Sequence, residues 1–300
     1  MRERLPFRPA GLLVGTLVAV SLSSCVRAAP PASSPPSADA ALARMRDSLD
    51  CGNAIQASAK VDHFGEGGRV RGDVLLFAAR PARIRMDVVS PFGAALATLT
   101  TDGVRFSMAD LKDRRFFVGP ATACNIARLT TVAVPGHVLV DLLRGQAPVL
   151  KHDPRDSTIT WSPNGYWILT VPGQNMAREE IHLAPVPSDW ARPWQDQRLR
   201  VLDVRVEQQG YLLYHAELDD HEPASTAAPR EDPDNLEAPL PPSGPACRAE
   251  VPRRIHIELD TPPSDLRIVY QQVFWNPPLP SGTFEQSNPA GFSPEEVTCP

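Results

Sequence analysis

Lysine is scarce in this chain. Lys60, Lys112 and Lys151 stand among 30 basic residues, and the remainder are Arg, a bias that follows GC-rich codon usage and carries little chemistry. A basic excess is missing too: 30 Lys and Arg face 35 Asp and Glu, for a net charge of −5. That excludes a general nucleic-acid binder, which needs a positive surface. The N-terminal apolar run, residues 10–22, has 13 residues. It is too short to span a bilayer as a helix. Catalytic fingerprints are absent: there is no Gly-x-Ser-x-Gly, His-Glu-x-x-His, Walker loop, Gly-x-Gly-x-x-Gly or Cys-x-x-Cys. No nucleophile, base and orienting acid stand at a readable spacing, so an enzyme is the weaker reading. Long unbroken helices are excluded by 33 prolines, since Pro interrupts the helical hydrogen-bond ladder. What is present is a 42% hydrophobic fraction. It rules out wholesale disorder and fits one core of roughly 180–220 residues with irregular Pro-rich segments.

Arg2, Arg4 and Arg8 precede the apolar run, as in a signal peptide. The run ends in Leu22-Ser23-Ser24-Cys25, which resembles the bacterial lipobox. The resemblance implies removal of residues 1–24 and acylation of Cys25. Several acyl chains, at ~0.8 kcal/mol per buried CH₂, make a stable anchor. Val26 follows, where an Asp would mark inner-membrane retention; the resemblance therefore implies an outer-membrane protein facing the periplasm. Residues 25–38 are the lipidated Cys and a Pro/Ser/Ala tether.

The other cysteines are Cys51, Cys124, Cys247 and Cys299. An even number in an exported chain indicates two disulfides, and three connectivities are possible. Cys51–Cys124 with Cys247–Cys299 is the preferred pairing.

After a short helix over residues 40–49, with Asp39 as its cap, the apolar period changes from helical to two. Alternation predicts strands at 54–64, 69–79, 83–88, 94–101, 104–108 and 114–118. Helices follow at 125–131 and 135–144, then strands at 157–161, 166–171, 180–184, 199–208, 212–218, 254–259 and 266–275. Residues 222–245 read as a Pro-rich insertion, and 277–300 as a Pro-rich surface tail. The expected fold is mainly β: a curved antiparallel half-barrel of about 11 strands, covered by two or three helices, spanning residues 39–276.

Four features resemble the LolA/LolB-like superfamily, most closely LolB, the outer-membrane lipoprotein receptor. A lipobox precedes a helix and a long antiparallel run. Ser90-Pro91-Phe92-Gly93 stands where LolB has a Pro-Leu-Gly turn. Leu129-Thr130-Thr131-Val132-Ala133-Val134-Pro135 precedes a helix, and Ser162-Pro163-Asn164-Gly165 forms a hairpin downstream. The match covers roughly residues 40–275; the insertion, four cysteines and tail depart from it. The resemblance implies an apolar cavity that holds acyl chains of lipoproteins or other lipids. It implies no cofactor, a LolA-like periplasmic carrier as partner, and a monomer. Pro91, Phe92 and Gly93 would form the protruding membrane-insertion loop. Ile84, Met86, Val88, Leu96, Phe106 and Met108 would line the cavity, with Leu139, Leu142 and Leu143 closing or plugging it.

Two further readings compete. One is a structural envelope-complex lipoprotein whose insertion and tail dock a partner. The other is a metal-dependent enzyme using His215, Glu217, Asp219 and His221. That cluster reads more simply as a solvated strand end running into a loop, so no metal site is expected.

Overall fold

The computed structural model describes residues 28–65, 68–226 and 240–299. The signal segment 1–24, Cys25, and part of the insertion (227–239) lie outside the described residues.

Among the described residues there are three α-helices and 15 strands. Helix α1 is Ala38–Leu49, followed by a six-strand run: β1 Ala54–Gly65, β2 Gly68–Ala79, β3 Arg83–Val89, β4 Ala95–Thr101, β5 Arg105–Asp110 and β6 Arg115–Pro120. Helices α2 (Ala123–Thr130) and α3 (Gly136–Leu143) lead to β7 Thr158–Ser162, β8 Tyr166–Pro172, β9 Ala177–Pro185, β10 Leu199–Gln208 and β11 Tyr211–Pro223. The last strands are β12 Ser225–Thr226, β13 Glu250–Asp260, β14 Pro263–Trp275 and β15 Pro294–Glu296.

All belong to one sheet, ordered β15-β6-β5-β4-β3-β2-β1-β14-β13-β11-β10-β9-β8-β7, with β12 alongside β14. The sheet is open, because β15 and β7 are its two ends. The strand count exceeds the expected 11. The thirteen ranges read as strands all form strands, and the two further ones, β12 and β15, have two and three residues, too few to show a period. The α1 cap also differs: Ser37, not Asp39, accepts from the Ala40 N–H, and the helix starts earlier.

Strict alternation divides the sheet into two faces. Ile84, Met86 and Val88 of β3 stand opposite Thr101, Leu99 and Ala97 of β4, and this face carries the helices. Helix α3 is buried nearly all round through Val138, Leu139, Val140, Leu142 and Leu143, as a helix plugged into a core must be.

Three distant parts of the chain meet beside α3. The Asn276 carboxamide accepts from the N–H groups of Asn53 (2.7 Å) and Ala54 (3.2 Å). It donates to the carbonyls of Cys51 (2.8 Å) and Pro245 (2.6 Å). Arg144, fully buried, donates to the carbonyls of Leu49 and Gly52 and lies over the Trp275 ring. A side chain at Gly52 would collide with that ring.

The disulfides join Cys51 to Cys247 and Cys124 to Cys299, which corrects the preferred pairing. The reason is topological: β1 pairs with β14, so the entrance to β1 lies beside the C-terminal third rather than beside α2. The tail is a strap across the outer face. Phe284 packs on Ala54 and Ala79, the Gln286 side chain donates to the Thr98 carbonyl, and β15 pairs parallel to β6. Arg115 and Glu295 add a bidentate ion pair there.

The segment read as a tether is docked from Ala28 onward. The Ala28 N–H donates to the Pro163 carbonyl, the Trp161 indole donates to the Ala28 carbonyl, and Ser33 accepts from the Trp194 N–H.

Candidate functional site: an apolar cavity at one end of the sheet

The β10–β11 hairpin turns through Gln209 and Gly210, both at positive φ (53° and 85°), the pattern of a tight two-residue hairpin. Beside it α3 and the segment after it leave part of the sheet uncovered. The result is a cavity of about 700 Å³, within the ~300–1,000 Å³ typical of small-molecule sites. Val134 and Val138 line one side, with Val149 and Leu150 next to them; Val206, Leu212 and Leu259 line the sheet side. Polar groups are few: His137, Asp141, Tyr214 and the rim residues Tyr211 and Thr261.

Tyr214, Val206 and Glu179 form a row across β11, β10 and β9 on the helix-covered face. Glu179 is completely buried. Its Oε2 accepts from the Leu150 N–H at 2.8 Å, and its Oε1 has no partner. Burial pushes its pKa up to about 8 against the opposing pull of the Leu150 N–H and Arg46. Burial likewise raises Asp141 to about 6, opposed by Arg144. The Tyr214 phenol is raised by burial and by the nearby Glu179 and Asp141. Glu179 is therefore mostly protonated at neutral pH, while Asp141, which lines the cavity, remains mostly ionised.

The Glu179 pKa, near 4.5 in the unfolded chain, rises on folding to about 8. Between those values the folded state binds a proton that the unfolded state does not. The stabilising proton is fully present below about 4.5 and is lost as pH rises through about 8. Unfolding free energy should fall with pH across that window, with a slope approaching 1.4 kcal/mol per pH unit. In Glu179→Gln this contribution should vanish and stability at pH 8 should rise, as read from urea unfolding at several pH values. An unchanged slope would refute the assignment.

The structure distributes the sequence-predicted residues differently. Ile84, Met86, Phe106, Met108, Leu139, Leu142 and Leu143 are buried in one continuous core, and none of them lines this cavity. Val88 is half-buried against that core. Leu96, 44% exposed, sits where the β3–β4 register shifts and points away from the core. Val88 and Leu96 border a separate groove of about 620 Å³, which also carries Lys60, Asp62, Arg71 and Asp73. Phe92 is 97% exposed. It stands on a turn closed by the Gly93 N–H to the Ser90 carbonyl, with Gly93 at φ +81°, a conformation suited to glycine.

The register places the β1–β2, β3–β4, β8–β9, β10–β11 and β13–β14 connections at one end of the sheet, the end that carries Tyr211 and Thr261. Large apolar side chains gather there in the open: Phe64, Val70, Phe92, Met176 and Tyr211. Sequence reasoning did not find Glu179, Asp141 or Tyr214. One signal was legible: Glu179 shares the inward phase of Ile181 and Leu183, a carboxylate in an apolar row.

Among the described residues no helix is long and apolar enough to cross a membrane. No family model matches the chain. No curated protein matches it either. Solved structures of similar shape exist. A LolA superfamily protein from Nitrosomonas europaea is 11% identical, with 83% of this chain and 98% of that one covered and a TM-score of 0.45. A putative outer membrane lipoprotein-sorting protein domain from Vibrio parahaemolyticus is 8% identical, with 81% and 94% covered and a TM-score of 0.41.

Proposed function

We propose that this protein is a lipid-anchored component of the outer membrane that binds acyl chains of lipoproteins or other lipids and takes part in their localisation. The observation that carries the reading is the cavity between α3 and strands β10, β11 and β13, walled by aliphatic side chains and open at one end. This moves the acyl-chain site to the half of the sheet opposite the one expected from the sequence. Passing a chain between such sites needs an affinity difference and no catalytic group, so no covalent step belongs to the function. Cys25 supplies the anchor, and a LolA-like periplasmic carrier is the partner. The chain acts as a monomer.

The exposed rim supports the same reading. Phe92 on its Pro-Gly turn can enter a membrane surface, and Met176 and Tyr211 surround the mouth with further apolar area. The partner-docking alternative loses one of its two segments, since the tail is committed to the protein's own sheet.

Leu212→Trp, a half-buried lining position, should fill the cavity without disturbing the core. A fluorescent fatty acid should bind the native chain saturably and the variant at least about tenfold more weakly, a loss of ~1.4 kcal/mol, with an unchanged far-UV spectrum. Phe92→Ser should leave that binding intact and slow delivery of the fatty acid to vesicles. Native protein that neither retains lipid nor binds the probe would overturn the proposal.

A further inference from the structure

Outside the cavity, the open face of β10, β11, β13 and β14 carries a ladder of histidines and carboxylates. The strand register brings it together from four segments. Asp203 stands opposite Glu217, Glu217 opposite His256, His215 opposite Glu258, and Glu258 opposite Asp265. No sequence window contains more than a part of it.

At its centre, His256 Nε2 lies 3.0 Å from Asp265 Oδ1 and 3.5 Å from Glu258 Oε1. One ligand atom from each of the three falls within 4.8 Å of the others. Four-coordinate ions with ligand bonds of ~2.0–2.2 Å need donor separations of roughly this size. The other imidazole nitrogen, Nδ1, lies 3.1 Å from Glu217 Oε2. Both imidazole nitrogens thus face carboxylates, and a cation bound at Nε2 would put the ring proton on Nδ1, where Glu217 accepts it. Metal-bound histidines are oriented by such carboxylates. Glu258 is steadied from its far side by His215, whose Nδ1 is 3.5 Å from Oε2, while Asp203 holds His215 Nε2 at 2.6 Å.

Charge points the same way. Asp203, Glu217, Glu258 and Asp265 surround two histidines, and Arg267, 3.4 Å from Asp265 Oδ1, is the arginine that reaches the central set. The four carboxylates outnumber the two imidazoles and Arg267 together, leaving an excess of negative charge that a divalent cation would offset. The residues are half-buried or exposed, so a hydrated ion can reach them.

We propose that His256, Glu258 and Asp265 bind a zinc-class divalent cation on the outer face, with Glu217 as the positioning residue of His256. One nitrogen and two carboxylate ligands leave a coordination position for water or for an anionic group of a binding partner. Imidazole favours zinc over magnesium or calcium. The site is independent of acyl-chain binding, which lies on the other face.

The test is calorimetric titration of the untagged full chain with zinc chloride at pH 7.5, with manganese and magnesium chlorides for comparison. One saturable zinc equivalent is expected, tighter than manganese, with little response to magnesium. His256→Ala should abolish it. Glu258→Gln should weaken it strongly. Glu217→Gln, which keeps all three ligands, should weaken it by about 10–100-fold. Thermal unfolding of the metal-free variants establishes that they fold. Absence of saturable zinc binding below roughly 100 μM (~5.5 kcal/mol), or equal zinc affinity in folded His256→Ala and native protein, would overturn the proposal.

Discussion

Replacing Arg144 with alanine is expected to cost about 3–5 kcal/mol of folding stability, the cost of breaking a buried charged network. Its guanidinium is fully buried at the C-terminal end of α3. Burial lowers its pKa to about 10, so it remains charged at neutral pH. The charge is distributed over Asp141 at 3.4 Å, the Gln146 side chain at 3.3 Å, and the Leu49 and Gly52 carbonyls. Alanine would leave the buried Gly52 carbonyl without its donor, costing about 1–3 kcal/mol, whereas the Leu49 carbonyl keeps the Gly52 N–H. It would also remove the cation that opposes the upward shift of Asp141. Lysine should rescue only in part, because one ammonium cannot reproduce a planar fork that reaches α1, α3 and the α3 exit together. Urea unfolding should show a lower midpoint at an unchanged slope. A loss below ~1 kcal/mol would mean that water replaces the guanidinium without penalty.

The second large effect is expected from the paired Cys51→Ser, Cys247→Ser variant. Its disulfide closes a loop with a sequence separation of 196. The chain-entropy relation gives about 5 kcal/mol for such a loop, and small secreted domains lose ~2–5 kcal/mol when a native bridge is removed. This bridge sits in the junction held by Asn276 and Arg144, so its loss frees the unfolded chain without a compensating native-state relaxation. The Cys124–Cys299 bridge spans a comparable separation of 175, yet its removal should behave differently. It fastens the end of the outer strap, which can detach while the sheet stays folded. Cys299→Ser should therefore leave the main urea transition within ~1 kcal/mol of native. It should also make residues after Asn276 sensitive to protease. Equal losses from both bridges would show that the strap and the sheet unfold as one unit.

Most of the fold was legible because it depends on a local period. The alternation of Arg83-Ile84-Arg85-Met86-Asp87-Val88 names a strand and its inner face without reference to a partner. The Gly-containing turns and the apolar stripe of α3 were readable for the same reason. Partnership was not readable. The pairing of β1 with β14, the disulfide connectivity and the parallel seat of β15 are relations between segments remote in sequence, set by which edge remains open. The cavity escaped for a related reason: alternation says which face a residue occupies, but not whether a helix covers it. Met86 and Val206 are equally inward, yet α3 lies against β3 and leaves β10 beside open volume. The histidine–carboxylate ladder was half visible. His215 and Glu217 were noticed, but Asp203, His256, Glu258 and Asp265 reach the same face only through register.

The neighbour of β1 also sets the order of events after synthesis. The strand that emerges first must wait for β14, about 200 residues later, before its second edge is paired. Emergence from the ribosome can deliver β1 to β6 as successive hairpins, each closing on the last. The seam between the two halves closes only when the C-terminal third arrives. Such long-range closure is slow, and an edge left waiting is open to foreign strands. The chain should therefore depend on holding factors during synthesis more than its own turn-by-turn connectivity suggests. Truncation just before β14 should yield an aggregating product rather than a smaller stable domain.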